Sequence, residues 1–163
     1  MNVIGIVGWK NSGKTTLAAA LIRELSSRGL TVNSIKHAHH MVDVDQPGTD
    51  SYKHRDAGAR EVILAGGQRF AIMHELRGAT EPTLDELLSR LGPCDWVVVE
   101  VFKTHSHAKI EVHRREGSRS PLFTEDPSIV AVASDYAAEF SGPVFDINDI
   151  PAIADFILNR QPA

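Results

Sequence analysis

One short segment carries recognisable chemistry. Gly8-Trp9-Lys10-Asn11-Ser12-Gly13-Lys14-Thr15 fits the pattern G-x-x-x-x-G-K-[ST] at every fixed position. The residue types have physical reasons. Glycines let the backbone wrap closely enough for successive N–H groups to point at a phosphate. A helix opening after the loop adds the positive end of its dipole. Lys14 supplies a compact charge for the β- and γ-phosphates, and the Thr15 hydroxyl is a ligand for Mg²⁺. Gly8, Lys10, Asn11, Ser12, Gly13, Lys14, Thr15 and Thr16 are therefore the expected nucleotide contacts.

A magnesium ion at such a loop needs a second, acidic group, usually at the end of a neighbouring strand. Asp95 and Glu100 flank the run Trp96-Val-Val-Val99. A strand of that length separates them by about 17 Å. Ligands of open α/β sheets bind at the carboxyl ends of strands. That rule selects Glu100 and leaves Asp95 as a solvated strand start. Asp45 and Asp50 bracket a Pro-Gly turn, and Asp45 is a further candidate for Mg²⁺, directly or through water. Turn chemistry is the alternative there, with Thr49 or Asp50 capping a helix.

These groups must be carried by regular elements. Asn2–Gly8 is a β-branched run ending at glycine, which suits a buried strand. Leu17, Leu21, Ile22 and Leu25 recur at helical spacing, and Gly29 stands where a C-terminal cap belongs. A strand at Thr31–Lys36 completes a βαβ unit, so the sheet should be mostly parallel with helices on its faces. Further along, the pattern predicts a short helix near Thr49–Gly58 and a hairpin, Glu61–Ala65 and Arg69–Met73, turning at Gly66-Gly67-Gln68. A helix is predicted over Thr83–Leu91, opened by a capping box. Strands follow at Asp95–Glu100, Lys109–His113, Ile129–Ala133 and Val144–Ile147. A closing helix over Pro151–Asn159 is capped by Asn148 or Asp149.

Composition sets outer bounds. At 163 residues the chain is expected to form a single domain. Seventeen basic against 21 acidic residues argue against bulk binding to nucleic acid or an anionic membrane. No apolar run nears the ~18–20 residues needed to cross a bilayer, and no secretory signal opens the sequence. One cysteine, Cys94, fits a reducing compartment, so a cytoplasmic protein is expected. Cys94 itself reads as a small core residue.

Several segments together carry a resemblance: Gly8–Thr16, Ile35-Lys-His-Ala-His-His40, Asp45-Gln-Pro-Gly-Thr-Asp-Ser51, Ala57-Gly58-Ala59 and Val99-Glu100-Val-Phe-Lys103. From residue 2 to about 135 the chain resembles the molybdopterin-guanine dinucleotide biosynthesis protein B family (MobB). One departure stands out. The family pattern is Glu-Gly-Phe-Lys, and Val101 occupies the glycine position. The resemblance implies a P-loop NTPase-like α/β fold, with a mostly parallel sheet and some antiparallel strands. It also implies a GTP- and Mg²⁺-binding accessory protein, a homodimer, with hydrolysis weak at best. Its partner would be the guanylyltransferase that attaches GMP to molybdopterin, and molybdopterin itself is a candidate ligand.

Other residues carry alternative readings. The Asn-Lys-x-Asp signature of many GTPases is absent, but Asp135 follows a late strand at the phosphate-loop edge. Its carboxylate matches the two adjacent donors of guanine, and its alternative role is to cap a helix entered at Tyr136. His37, His39 and His40 follow the second strand, where they could meet phosphates, hold a transition metal or simply be solvated. His105 and His107 have the same options, while His54, His74 and His113 read as ordinary. Arg114, Arg115 and Arg119, with Lys109 nearby, form a basic loop able to clamp an anion. A small-molecule kinase with that loop as lid and Asp45 as base is the second reading.

Overall fold

The computed structural model describes residues 1–38, 43–102, 105–116 and 119–160. His39, His40 and Lys103 lie outside the described residues. The chain gathers into two compact units, one formed by 1–37 and 84–163, the other by 38–83.

The larger unit is built on six parallel strands, ordered β2-β5-β1-β6-β7-β8. These are β1 Asn2–Val7, β2 Val32–Lys36, β5 Trp96–Glu100, β6 Lys109–His113, β7 Ile129–Ser134 and β8 Val144–Asp146. Helices α1 (Lys14–Ser27) and α4 (Ile150–Asn159) cover one face. Their Leu17, Leu21, Leu25, Ile153 and Ile157 pack on Ile4, Ile6, Val98, Ile110 and Val112. On the other face Leu84 of α3 (Leu84–Arg90) packs against Val97 and Val99. Helices on both faces of a parallel sheet are what the βαβ pattern predicts, and Asp149 is the α4 cap, accepting from the Ala152 N–H at 3.2 Å.

β6 departs from an apolar central strand. Lys109, Glu111 and His113 alternate on one face of the strand, and all three are buried. Each is paired rather than abandoned, which is what makes burial of charge tolerable. Lys109 Nζ donates to Asp126 Oδ2 at 2.9 Å and Ser128 Oγ at 2.7 Å. The Glu111 carboxylate accepts the backbone N–H groups of Leu122 and Phe123, each at 2.9 Å. Burial nevertheless pushes the Glu111 carboxyl above its ordinary range. Lys109 is therefore locked into the strand that the sequence predicts, its charge engaged by Asp126 beside the Ser128 hydroxyl.

The smaller unit contains α2 (Asp50–Asp56) and the antiparallel pair β3 (Glu61–Ala65) and β4 (Phe70–His74). Thr49 is the α2 cap, accepting from the Tyr52 N–H. Val62 and Met73 are buried, whereas Ile63, Phe70 and Ile72 on the opposite face of the hairpin are exposed.

Candidate functional site

β1 delivers the chain to Gly8 and α1 takes it away from Gly13, so the phosphate loop is a short link between two packed elements. Its backbone needs unusual angles: φ is 148° at Gly8, 64° at Asn11 and 101° at Gly13. Gly8 has a second reason to be glycine, because a Cβ there would stand 2.5 Å from the Val112 carbonyl oxygen. Loop carbonyls must turn outward for N–H groups to turn inward, and two of them find donors. Arg114 Nε donates to the Ser12 carbonyl at 3.0 Å, and Lys14 Nζ donates to the Trp9 carbonyl at 2.7 Å. Lys14 is consequently half-buried rather than held out in solvent. Ser12 is buried, and its hydroxyl has no hydrogen-bond partner among the described residues.

At the first turn of α1 the Thr15 hydroxyl donates to Glu100 Oε1 at 2.6 Å. Lys36 Nζ stands 3.5 Å from Glu100 Oε2 and 3.4 Å from Thr15 Oγ1. The pairing of β2 with β5 sets Lys36 beside Glu100 at the carboxyl edge of the sheet. Asp95 is at the other end of β5, where its Oδ2 accepts from the Thr31 N–H and hydroxyl, both at 2.7 Å. Those bonds hold the Asp95 carboxyl below its usual range. Strand direction thus separates the two carboxylates as the sequence argument required. The oxygen donors of Thr15 and Glu100 suit a hard cation such as Mg²⁺. Lys36 had no role of its own in the sequence, and the register that brings it here is invisible there.

The basic loop after β6 divides. Arg119 lies over the Trp9 ring, its Cζ 4.7 Å from the centroid, and the Trp9 indole N–H donates to the Ser120 carbonyl at 2.8 Å. Arg114 also reaches Asp135, Nη1 to Oδ2 at 3.5 Å, while Arg115 lies over Tyr136. Asp135 follows β7, and its Oδ1 accepts the Arg115 N–H at 3.0 Å. That bond, with the Arg114 charge, draws the Asp135 carboxyl below its ordinary value. No helix starts at Tyr136, so Asp135 is not a helix cap. A cleft of about 230 Å³ is lined by Trp9, Lys10, Asn11, Ser12, His113 and Arg114 among others. Thr16 is exposed on α1.

Asp45 belongs to the smaller unit. Its Oδ1 accepts from the Gln46 N–H and from the Thr49 and Ser51 hydroxyls. Burial opposes its charge, but those bonds and the Arg55 guanidinium win, and its carboxyl lies below the usual range. Oδ2 is buried without a hydrogen bond among the described residues, 3.8 Å from Arg55 Nη1. Turn chemistry is therefore its visible work. His37 packs against Phe102, ring centroids 4.8 Å apart and planes tilted by 43°. His113 is satisfied by the Tyr136 hydroxyl at 2.6 Å. In the His105–His107 pair, burial and then the Lys109 charge push the His107 imidazole down to about 4.

Comparison with known proteins places this geometry. The family model for "Molybdopterin guanine dinucleotide synthesis protein B" (MobB) matches residues 3–135. The chain is 43% identical to the molybdopterin-guanine dinucleotide biosynthesis adapter protein of Haemophilus influenzae, across 96% of this chain and 88% of the relative. It is 40% identical to the Escherichia coli protein of the same name, across 96% and 91%. A crystal structure of molybdopterin-guanine biosynthesis protein B matches with a TM-score of 0.75 at 26% identity, covering 96% of this chain and 97% of that one.

Val101 holds φ at 67° immediately after Glu100. The backbone keeps a conformation natural to glycine, and a β-branched side chain there is strained. Val101→Gly relieves that strain but frees the unfolded chain. The net expected gain is about 1 kcal/mol, a Tm rise of roughly 2–4 °C in a thermal melt. A fall in Tm would mean that packing of the valine outweighs its backbone.

Proposed function

The chain belongs to the molybdopterin guanine dinucleotide synthesis protein B family, and from that premise we propose that it serves this biosynthesis as an adapter that binds Mg-GTP and assists the guanylyltransferase. The observation that carries the nucleotide reading is the glycine-framed loop whose Lys14 and Thr15 face, respectively, a loop carbonyl and the Glu100 carboxylate. Both are contacts that phosphate and a hard cation can take over. Bound Mg²⁺ would neutralise phosphate charge, with Thr15 and Glu100 as its protein ligands. Lys14 then binds phosphate as a point charge. Arg114 keeps the Ser12 carbonyl turned away from the anion, and Asp135 is assigned to the guanine edge.

As an adapter the protein is expected to hydrolyse GTP slowly, in the cytoplasm and as a homodimer. The exposed hairpin face supports association: Ile63 is 64%, Phe70 69% and Ile72 55% exposed. An isolated two-stranded hairpin with an open apolar face is marginal until something covers it. Rapid turnover on a small acceptor would instead favour the kinase reading. Direct binding of molybdopterin belongs to the same proposal.

Three variants test the site. Lys14→Ala should abolish GTP binding in calorimetry while circular dichroism shows an intact fold; unchanged affinity would move the nucleotide elsewhere. Glu100→Gln should weaken Mg²⁺-dependent GTP binding by about tenfold or more, because a charged acceptor is lost. Asp95→Asn, at the opposite strand end, should leave that dependence alone, and equal losses in the two would refute the assignment of Glu100. Asp135→Asn should weaken GTP and strengthen xanthosine triphosphate, whose base presents an acceptor where guanine has its amino group. If that preference stays fixed while Tm drops, Asp135 only anchors Arg114 and Arg115.

A further inference from the structure

Lys36 stands at the Thr15–Glu100 pair, yet it lies outside the phosphate-loop pattern, on a strand two places away from β1. At a strand spacing of about 4.8 Å, it approaches from roughly 10 Å to the side of the strand that carries the loop. Its side of the sheet is set by alternation. Val98 lies in the core beneath α1, and Val32 packs against that core. Lys36 and Glu100, an even number of residues further along their strands, therefore point the same way, toward the first turn of α1.

The contacts that Lys36 makes there are long for a charged group. Its Nζ is 3.5 Å from Glu100 Oε2 and 3.4 Å from Thr15 Oγ1, against about 2.7–2.9 Å for a well-made ammonium–carboxylate bond. The Lys36 side chain is 59% exposed and that of Glu100 10%. A pair with one partner in solvent contributes little and exchanges readily. The flexible four-carbon stem lets the ammonium move by a few ångströms with β2 unchanged. Lys109 is the contrast within the same sheet. Its side chain is buried, and Asp126 and Ser128 hold its ammonium at 2.9 Å and 2.7 Å. Lys109 is fixed in place, whereas Lys36 is placed and left loose.

We propose that Lys36 is a specificity-determining residue that reads the terminal phosphate of a nucleoside triphosphate, and so sets a preference for triphosphate over diphosphate. The inference rests on the Mg-GTP reading of the loop and deepens it. With Thr15 and Glu100 as ligands of Mg²⁺, the terminal phosphate shares that ion and lies beside both side chains. Loop N–H groups and Lys14 reach the phosphates from the β1 side. Lys36 approaches from the β2 side. Neighbouring oxygens around Mg²⁺ are about 2.9 Å apart at a bond length of about 2.05 Å, so a phosphate oxygen next to Glu100 falls within reach of the ammonium. A diphosphate has no group at that place and gains nothing from Lys36.

The test is calorimetry of the full chain with GTP and with GDP, each with Mg²⁺. Lys36→Met should lower the GTP-to-GDP affinity ratio by about tenfold or more, the loss of one charge-assisted bond. Lys36→Arg, which keeps the charge, should retain part of the ratio. Lys53→Met removes an equal charge from α2, where Lys53 pairs with Asp50, and should leave the ratio unchanged. In ³¹P spectra of bound GTP, Lys36→Met should move the γ-phosphorus resonance and leave the α-resonance in place. Circular dichroism should match the native chain, because the Lys36 side chain is exposed. A ratio unchanged in Lys36→Met, equal weakening of both nucleotides, or the same change in Lys53→Met would overturn the inference. A native chain that binds neither nucleotide would instead overturn the Mg-GTP reading, which Lys14→Ala probes separately.

Discussion

The bond from the Thr15 hydroxyl to Glu100 fastens the first turn of α1 to the end of β5, and much of the molecule is arranged around it. α1 can begin only after the loop has turned through three residues of positive φ. β5 can place a carboxylate there only because the sheet is parallel and β1 pairs with it through Ile6 and Glu100. A shift of one residue in that register would move Glu100 to the other face of the sheet. The run Val97–Val99, fully buried between the two apolar layers, is what makes such a slip expensive.

The same loop is tied to the part of the sheet that is closed by charge instead of hydrocarbon. The segment Leu122–Ser128 covers β6 through Glu111 and Lys109, and continues back through Ser120 and Arg119 to Trp9. A buried ion pair is weak evidence for stability, but removing one member leaves an unpaired charge and costs far more than the pair supplied. These bonds fix direction as apolar packing does not. They hold the segment in one register, and with it the wall beside the loop.

How much of this was legible in the sequence follows from the range of each interaction. The glycine-framed loop between β1 and α1, the caps at Thr49 and Asp149 and the placing of Glu100 and Asp95 at opposite ends of β5 rest on local spacing or strand direction, and the structure agrees. The burial of β6 was hidden because Lys109-Ile-Glu-Val-His113 alternates like a half-exposed strand, and its partners are contributed by a segment ten or more residues later. The alternative role of Asp135, capping a helix at Tyr136, falls away because no helix starts there, and its carboxylate is held by Arg114 and Arg115. Lys36 became a site residue only through the register of β2 on β5. Val101 showed itself in the sequence as a departure from a family pattern, but only the backbone angle explains why glycine suits the position.

Lys36 also constrains how a cation can enter. Its ammonium already stands 3.5 Å from the Glu100 carboxylate, much as a bound metal ion would. A dication arriving alone would have to displace that charge and would gain only one carboxylate and one hydroxyl in return. Arriving with phosphate, as the proposed function requires, it would bring anionic oxygens to its own coordination and new partners for Lys36 and Lys14. Lys14, meanwhile, rests on the Trp9 carbonyl, a neutral acceptor worth less to an ammonium than a phosphate oxygen. The two lysines thus hold the loop and the carboxylate in place with contacts weak enough to be exchanged. In the proposed Mg-GTP site, cation and phosphate would therefore bind better together than either does by itself.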